Sequence, residues 1–235
     1  MISSAELLKR PLQIYSAHFN IFFKLLLVPL IFNIAVSAIP ITRNAELALI
    51  VALPMALFSI LVAAWTELAL VRAFYNYSSG ATLNIAATLR EALQKLPSFI
   101  FLLIIWFVVV LVGLAFLIIP GIIFATWFMF LSSALVIEDQ RGLAVFRRSK
   151  QLVANNFFGL FWRAVASALL ISVILITAIQ GFVAILQATG LRAFNQFLFD
   201  VITNSFGSAL SVLFLPAFIG IIVTLYLEIH KTKGV

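Results

Sequence analysis

The chain has 235 residues, of which 64% are hydrophobic and only 10% are charged, and its formal net charge is +7. A soluble domain is about 45–50% apolar and about 25% charged, so this composition excludes a water-soluble globular fold. The absence of cysteine excludes disulfides, iron–sulfur clusters and thiolate metal sites. Two histidines offer little for a metal site or a histidine-based triad, and we expect neither a metal nor a cofactor.

Six apolar stretches approach or exceed the length of about 20 residues that a helix needs to cross a bilayer. They cover residues 19–39, 47–71, 98–119, 121–137, 157–187 and 197–227. The first stretch lacks a small-residue cleavage site, so we expect it to be retained as a span. Pro120 and Gly121 separate the third stretch from the fourth and predict a tight helical hairpin.

The basic residues predict the orientation of these spans. With the N-terminus inside, thirteen of the fifteen Lys and Arg residues fall in inner segments or adjoining helix ends, and only Arg43 and Arg192 fall in outer loops. Cytoplasmic loops of membrane proteins carry such an excess of Lys and Arg. We therefore expect an integral plasma-membrane protein, in the bacterial inner membrane, with both termini in the cytoplasm.

An amphipathic stretch precedes each outgoing span on the predicted cytoplasmic side. Residues 144–164 read AVFRRSKQLVANNFFGLFWRA, and two faces separate at the start of this stretch. One face, within an arc of about 120°, holds Val145, Phe146, Ser149, Leu152 and Val153, and the other holds Arg147, Arg148, Lys150 and Gln151. Residues 85–96 repeat this pattern, with Thr82 or Asn84 expected to cap the helix and Pro97 expected to end it. In the first copy, SSAELLKRPLQIYSAHF, Pro11 is expected to break the helix or to begin its main part.

The basic faces of these stretches are typical of interfacial helices that contact the anionic headgroups of the inner leaflet. The residues expected to face the headgroups are Arg90, Lys95, Arg147, Arg148 and Lys150. A purely topological use of the charge remains open. Nucleic acid is not an expected partner, because single-strand binding needs aromatic side chains beside the charge, and the aromatic residues after position 156 belong to the next span.

The chain is predicted to be one membrane domain, 1–235, with approximate repeats over 1–80, 81–140 and 141–235. Each repeat holds an amphipathic helix, an outgoing span and a returning span, and the fold class is an all-α bundle of six transmembrane helices in three pairs. Charges near hydrocarbon are costly unless they are paired or hydrated. We therefore expect one intramembrane charge layer with ion pairs Lys24–Glu67 and Arg163–Glu138. Its five members are Lys24, Glu67, Glu138, Arg163 and Glu228.

Two interpretations of the charge layer stay open at this point. It can fix the packing of the helices, or it can form a substrate or headgroup site. Asp200 and Asn204, one turn apart in the last span, form a possible outer polar site. The alternative is that Asp200 simply lies where water reaches the outer interface.

The run LIIPGIIFATWFMFLSSALVIEDQRGLAVFRRSKQLVANNFFGLFW combines a proline–glycine hairpin, a returning span that ends in glutamate, and A-x-x-R-R-S-x-x-L-x-x-x-N. Over residues 117–163 it resembles the six-span membrane domain fused to some bacterial glycerophosphodiester phosphodiesterases, and the related YciC-type inner-membrane proteins. The resemblance implies a six-helix membrane protein without phosphodiesterase activity, because the catalytic part of those proteins is a separate soluble domain. The signature residues that it implies are Pro120, Gly121, Glu138, Arg147, Arg148, Ser149, Leu152, Asn156 and Phe157.

Motifs of common enzyme classes are absent from the sequence. It contains no phosphate-binding glycine loop, no H-E-x-x-H and no G-x-S-x-G, so catalysis would have to use Glu, Lys and Tyr alone. We expect a non-enzymatic membrane protein that associates with phospholipids, with other membrane proteins, or with both. The alternative is a transporter or lipid-moving protein with a polar passage between the helix pairs. That passage would be lined by Lys24, Glu67, Arg163 and Asp200.

Overall fold

The computed structural model describes residues 4–37 and 45–232, and every regular element in these ranges is a helix. The predicted positions of Arg43 and Lys233 lie outside them. The helices are α1 (Ser4–Ala17), α2 (Phe19–Ser37), α3 (Ala45–Ser78), α4 (Ile85–Phe116), α5 (Ile118–Trp127), α6 (Leu131–Ile137), α7 (Ala144–Ala154), α8 (Phe157–Ala188), α9 (Leu191–Phe194) and α10 (Gln196–Thr232).

Six of the described segments are long and apolar enough to cross a membrane, as the sequence predicts. Five lie within single helices, namely α2, α3, α4, α8 and α10, and the sixth is formed by α5 and α6 together. The all-α fold class with six membrane-length segments is therefore confirmed.

Two prolines expected to interrupt helices do not do so. α1 continues through Pro11, and α4 continues through Pro97 from its cap to Phe116. A proline removes one backbone donor from a helix, and tertiary packing offsets that loss here, since α1 packs against α10 and α4 packs against α3 and α5. Asn84 caps α4 as predicted, because its side chain accepts a hydrogen bond of 3.1 Å from the Ala87 amide. The second amphipathic stretch is thus the first part of the same helix that forms the outgoing span.

The hairpin between α4 and α5 is confirmed, but the chain turns at Leu117, whose backbone is extended, rather than at Pro120. Pro120 lies in the first turn of α5, where backbone amides have no acceptor within the helix, so the missing amide of proline costs no helical hydrogen bond. Close packing in the hairpin depends on two glycines. A Cβ atom on Gly113 would lie 3.0 Å from the Gly121 Cα atom.

The returning segment of this hairpin is broken. α5 ends at Trp127 and α6 begins at Leu131, so three residues between them are not helical. No glycine or proline lies at this break. Helix α6 is almost entirely buried, and it packs against α3, α4 and α7.

Helix α10 is the central element of the bundle, since it packs against α1, α2, α3 and α8. The main core is apolar, with Phe22, Leu68, Phe74 and Phe99 among its fully buried side chains. Helix α8 lies at the periphery, and only two of its side chains are buried. The pairs α2–α3, α4–α5 and α8–α10 each pack together, whereas the repeat relationship among them stays a prediction.

Gly121→Ala tests the close approach in the hairpin. The added methyl group would collide with the Leu114 side chain and lie 2.9 Å from the Leu114 backbone nitrogen. We expect a loss of about 1–3 kcal/mol in unfolding free energy, as for other overpacked sites. The lower thermal midpoint of the purified protein in detergent, followed by tryptophan fluorescence, would show it.

Gly181→Ala is the matched control, because a Cβ atom on this α8 glycine meets nothing within 4 Å. Alanine is favoured over glycine inside a helix by about 1 kcal/mol, so this variant should be as stable as the wild type or more stable. Equal midpoints for the two variants would contradict the assigned packing of the hairpin.

Candidate functional site at the charged end of the bundle

One end of the bundle gathers most of the ionisable side chains that contact each other, and we call it the charged end. It comprises α1, the C-terminal ends of α3, α6 and α10, the first turns of α4 and α8, and α7. The predicted residues Glu138, Arg148, Arg163 and Glu228 all lie there. The contacts among them differ from the single layer that the sequence suggests.

Glu138, which follows α6, is the centre of the first contact set. Arg148 of α7 donates from Nε to both carboxylate oxygens, at 2.9 and 2.6 Å. The Tyr226 hydroxyl of α10 donates to Oε1 at 2.5 Å, and His230 Nδ1 lies 3.6 Å from the same oxygen. Although burial raises the pKa of Glu138, the hydrogen bonds from Arg148 and Tyr226 outweigh it and lower the pKa below its usual value. The carboxylate therefore stays charged and joins α6, α7 and α10.

The second contact set joins α8 to α10. Arg163 Nη1 lies 3.5 Å from Glu228 Oε2, and both side chains are mostly buried. Glu228 follows Tyr226 by two residues, which is about 200° around a helix. The two contact sets thus lie on different faces of α10, and that helix links them.

Both predicted ion pairs are wrong. Arg163 pairs with Glu228 rather than Glu138, because Arg148 already occupies the Glu138 carboxylate. Glu67 is half-buried and its carboxylate is hydrogen-bonded to Ser132 of α6. Lys24 is exposed on α2, and no ion pair among the described residues joins it to Glu67. The predicted layer is replaced by separate contacts on different helix faces.

Ser149 of α7 bridges the break between α5 and α6. Its hydroxyl donates to the Trp127 carbonyl oxygen at 2.7 Å and accepts from the Phe130 amide at 3.2 Å. The Ser149 side chain is fully buried. Backbone groups that leave a helix inside a bilayer need such partners, because lipid supplies none. The Ser149 hydroxyl therefore pairs with one backbone amide and one backbone carbonyl that have no helical partner at the break.

Lys95 of α4 binds the other end of α6. Its ammonium group donates to the carbonyl oxygens of Leu135 and Val136, at 3.0 and 3.3 Å. The last carbonyls of a helix lack intrahelical partners and carry partial negative charge, so the ammonium group stabilises this end. Lys95 also lies 2.9 Å from the Asp139 carboxylate and 3.3 Å from Glu91. The Lys95 hydrogen bond is the main cause that lowers the pKa of Asp139.

Two residues expected to face lipid headgroups therefore face the protein. Arg148 and Lys95 are mostly buried, and each has internal partners. Arg90, Arg147 and Lys150 are exposed. The Lys150 ammonium group lies 4.1 Å from the centre of a Trp127 ring, so this cation packs over an aromatic face.

The remaining predicted residues are distributed over the bundle. Asp200 and Asn204 are both exposed near the start of α10, far along that helix from Glu228. Of the signature residues, Leu152 is buried, Asn156 is the N-cap residue of α8, and the Phe157 ring stacks with Phe161. The proposed passage residues do not form one set, since Lys24 and Asp200 are exposed while Glu67 and Arg163 have different partners.

Sequence reasoning missed Tyr226, His230 and the capping role of Lys95. The spacing of Tyr226 and His230, four residues apart on one face of α10, was an available signal. Within residues 4–37 and 45–232, no group of three histidine or acidic side chains is arranged to hold a metal ion.

Comparison of the chain with protein-family models, with curated proteins and with solved structures finds no match. The resemblance over residues 117–163 stays a prediction. Glu138, Arg148 and Ser149 belong to that segment, and their contacts are those described above.

Ser149→Ala tests the bridge across the broken helix. It leaves the Trp127 carbonyl and the Phe130 amide without their partner, and each buried unsatisfied group costs about 1–3 kcal/mol. We expect a clearly lower thermal midpoint in detergent. Ser133→Ala is the matched control, since Ser133 is equally buried but its hydroxyl has no hydrogen-bond partner among the residues that the structure describes. The bridge is not needed if the two variants behave alike.

Arg148→Gln tests the buried ion pair between Arg148 and Glu138. The exposed residue Arg147, which precedes Arg148 in the sequence, serves as the control. Removing one partner of a buried pair costs about 3–5 kcal/mol, because the Glu138 carboxylate keeps its charge and loses its arginine. Arg147→Gln removes the same charge from an exposed position and should change stability by less than about 0.5 kcal/mol. Unfolding midpoints of the two purified variants provide the comparison, and a larger loss in Arg147→Gln would refute the assignment.

Proposed function

We propose that this protein is a non-enzymatic integral membrane protein that associates with phospholipids through the surface of its charged end. The observation that carries the proposal is the separation of charges at that end. Glu138 and Glu228 are mostly buried and paired with arginines. Arg90, Arg147 and Lys150 are exposed.

This separation leaves a surface rich in unneutralised cations next to membrane-length helices. Each Lys or Arg near an anionic membrane surface contributes about 1 kcal/mol of attraction. The positive-inside pattern supports a cytoplasmic location for this end. We propose accordingly that the cations contact the inner leaflet of a bacterial plasma membrane and that both termini lie in the cytoplasm.

Packing of the core favours this function over a polar passage. Large apolar side chains fill the space between α2, α3, α4 and α10, and Phe22, Phe74 and Phe99 are fully buried there. A transporter needs a hydrated path between its helix pairs. The resemblance to the six-span domain of fused phosphodiesterases also fits a membrane part that performs no hydrolysis.

The test is the lipid composition around the protein. The full chain would be extracted with its surrounding bilayer in polymer nanodiscs, and mass spectrometry would quantify the co-purified lipids and proteins. We expect severalfold enrichment of anionic phospholipid relative to an unrelated six-span protein. The triple variant Arg90→Gln, Arg147→Gln, Lys150→Gln should lose most of this enrichment.

Arg192→Gln is the control, because it removes an exposed cation from α9, beyond the far end of α8 and away from the charged-end surface. It should retain the wild-type lipid profile. A wild-type profile in the triple variant would overturn the proposal, as would a stoichiometric protein partner without lipid enrichment.

A further inference from the structure

Glu67 of α3 is an acidic side chain that is shielded from solvent without a basic partner. It is half-buried, and in the ranges that the structure describes no Lys, Arg or His side chain forms an ion pair with it. Glu91, Glu138 and Glu228 are also shielded, but each of them pairs with an arginine or a lysine. An ionised carboxylate that is shielded and unpaired is costly, so the state of Glu67 requires a different explanation.

Glu67 lies deep in the membrane-length part of its helix. It belongs to the segment Ile50–Ser78, eleven residues before the end of that segment, which is about 16 Å along a helix. Leu68, which follows it, is buried in the main core together with Ala134 and Leu135 of α6. An ionisable group at such a depth is costly in its charged form unless it is paired or hydrated, and the neighbours of Glu67 are mostly apolar.

The helices around α3 do not supply the missing cation. They are α1, α2, α4, α6 and α10, and α6 has no charged side chain. Arg72, the next cation along α3, donates from Nε to Glu91 of α4 at 2.8 Å. The other charged or titratable side chains of these helices are exposed or bound to other groups, namely Glu6, Lys9, Arg10, Tyr15, Lys24, Arg90, Lys95, Asp200, Tyr226, Glu228, His230 and Lys231.

The partner that Glu67 does have is neutral. Its carboxyl group is hydrogen-bonded to the Ser132 hydroxyl of α6, and Ser132 is buried. A hydroxyl can donate to a carboxylate or accept from a carboxylic acid, so this contact fits both states. The charged carboxylate of Glu138 instead has hydrogen bonds from an arginine and a tyrosine. A buried carboxyl group without a cation becomes neutral by taking up a proton.

We propose that Glu67 is a proton-binding site, at which the carboxyl group carries a proton at neutral pH and donates its hydrogen bond to Ser132. The ligand is thus a proton held between α3 and α6. Loss of this proton would leave an unpaired charge against the short helix α6, which weakens the contact of the two helices. The inference is independent of the proposed association with phospholipids, because it concerns none of the exposed cations.

Infrared spectroscopy of the full-length protein in detergent detects the proton directly, because a carboxylic acid and a carboxylate have separate carbonyl stretching bands. At neutral pH, Glu67→Gln should remove one carboxylic-acid band from the wild-type spectrum. Glu138→Gln is the matched control and should remove a carboxylate band instead, since hydrogen bonds from Arg148 and Tyr226 keep Glu138 charged. Loss of a carboxylate band in Glu67→Gln would overturn the inference.

Thermal midpoints provide a second test. Glutamine has the size of glutamic acid, no charge and an N–H donor, so Glu67→Gln should melt within about 2 °C of the wild type. Glu138→Gln leaves Arg148 buried without its partner and should melt about 5 °C lower or more. Failure of Glu67→Gln to fold, or an equally large loss, would show that the negative charge is required and would overturn the inference. Stabilisation by Na⁺ or K⁺ that Glu67→Gln abolishes would also overturn it, because a metal cation would then occupy the site.

Two adjacent serines of α6 test the hydrogen bond itself. Ser132→Ala removes the acceptor, so the carboxylic-acid band should remain but shift to higher frequency, as it does for an acid without a hydrogen-bond partner. Ser133→Ala removes a hydroxyl that is also buried but has no partner in the part of the chain that the structure describes, and it should leave the band in place. An unshifted band in Ser132→Ala, or the same shift in both variants, would contradict the assigned contact.

Discussion

The need to satisfy backbone groups at the α5–α6 break is the constraint on which the charged end depends. Three apolar residues leave the helical path between Trp127 and Leu131, and a bilayer supplies no hydrogen bonds to replace the lost ones. The Ser149 hydroxyl forms hydrogen bonds with backbone groups at the break. The Lys95 ammonium group donates hydrogen bonds to the carbonyl oxygens at the end of α6. These contacts fix α7 and the start of α4 against α6. Once α7 is in place, Arg148 reaches Glu138 and brings α10 into the same assembly.

This arrangement gives the charges of the bundle two separate roles. Buried members such as Glu138 and Arg148 hold helices together, whereas exposed members such as Arg147 and Lys150 define the surface. Adjacent residues on one short helix thus differ completely in environment. Burial and partner geometry, rather than sequence distance from a span, determine which role each charge has.

Composition and hydropathy were sufficient to predict the membrane-length segments, because these depend only on runs of apolar residues. Local chemistry predicted the Asn84 cap, the α4–α5 hairpin and the apolar face of α7. The break after Trp127 could not be predicted, since no glycine or proline marks it and its backbone partners come from α7. The ion pairs were also beyond reach, because spacing along a span gives the depth of a charge but not its rotation around the helix axis. Arg163 and Glu138 lie in neighbouring predicted spans, yet Arg163 faces Glu228.

The length of α4 has a consequence for how the helix sits in a bilayer. The helix has 32 residues without interruption at Pro97, which corresponds to a rod of about 48 Å, against about 30 Å for the hydrocarbon core of a bilayer. Its first turns carry Arg90 and Lys95, and its far end is joined to α5 through the tight contact of Gly113 and Gly121. This helix is longer than the hydrocarbon core by about 18 Å, so the turns that carry Arg90 and Lys95 can project beyond the hydrocarbon while the Gly113–Gly121 contact lies at the opposite end.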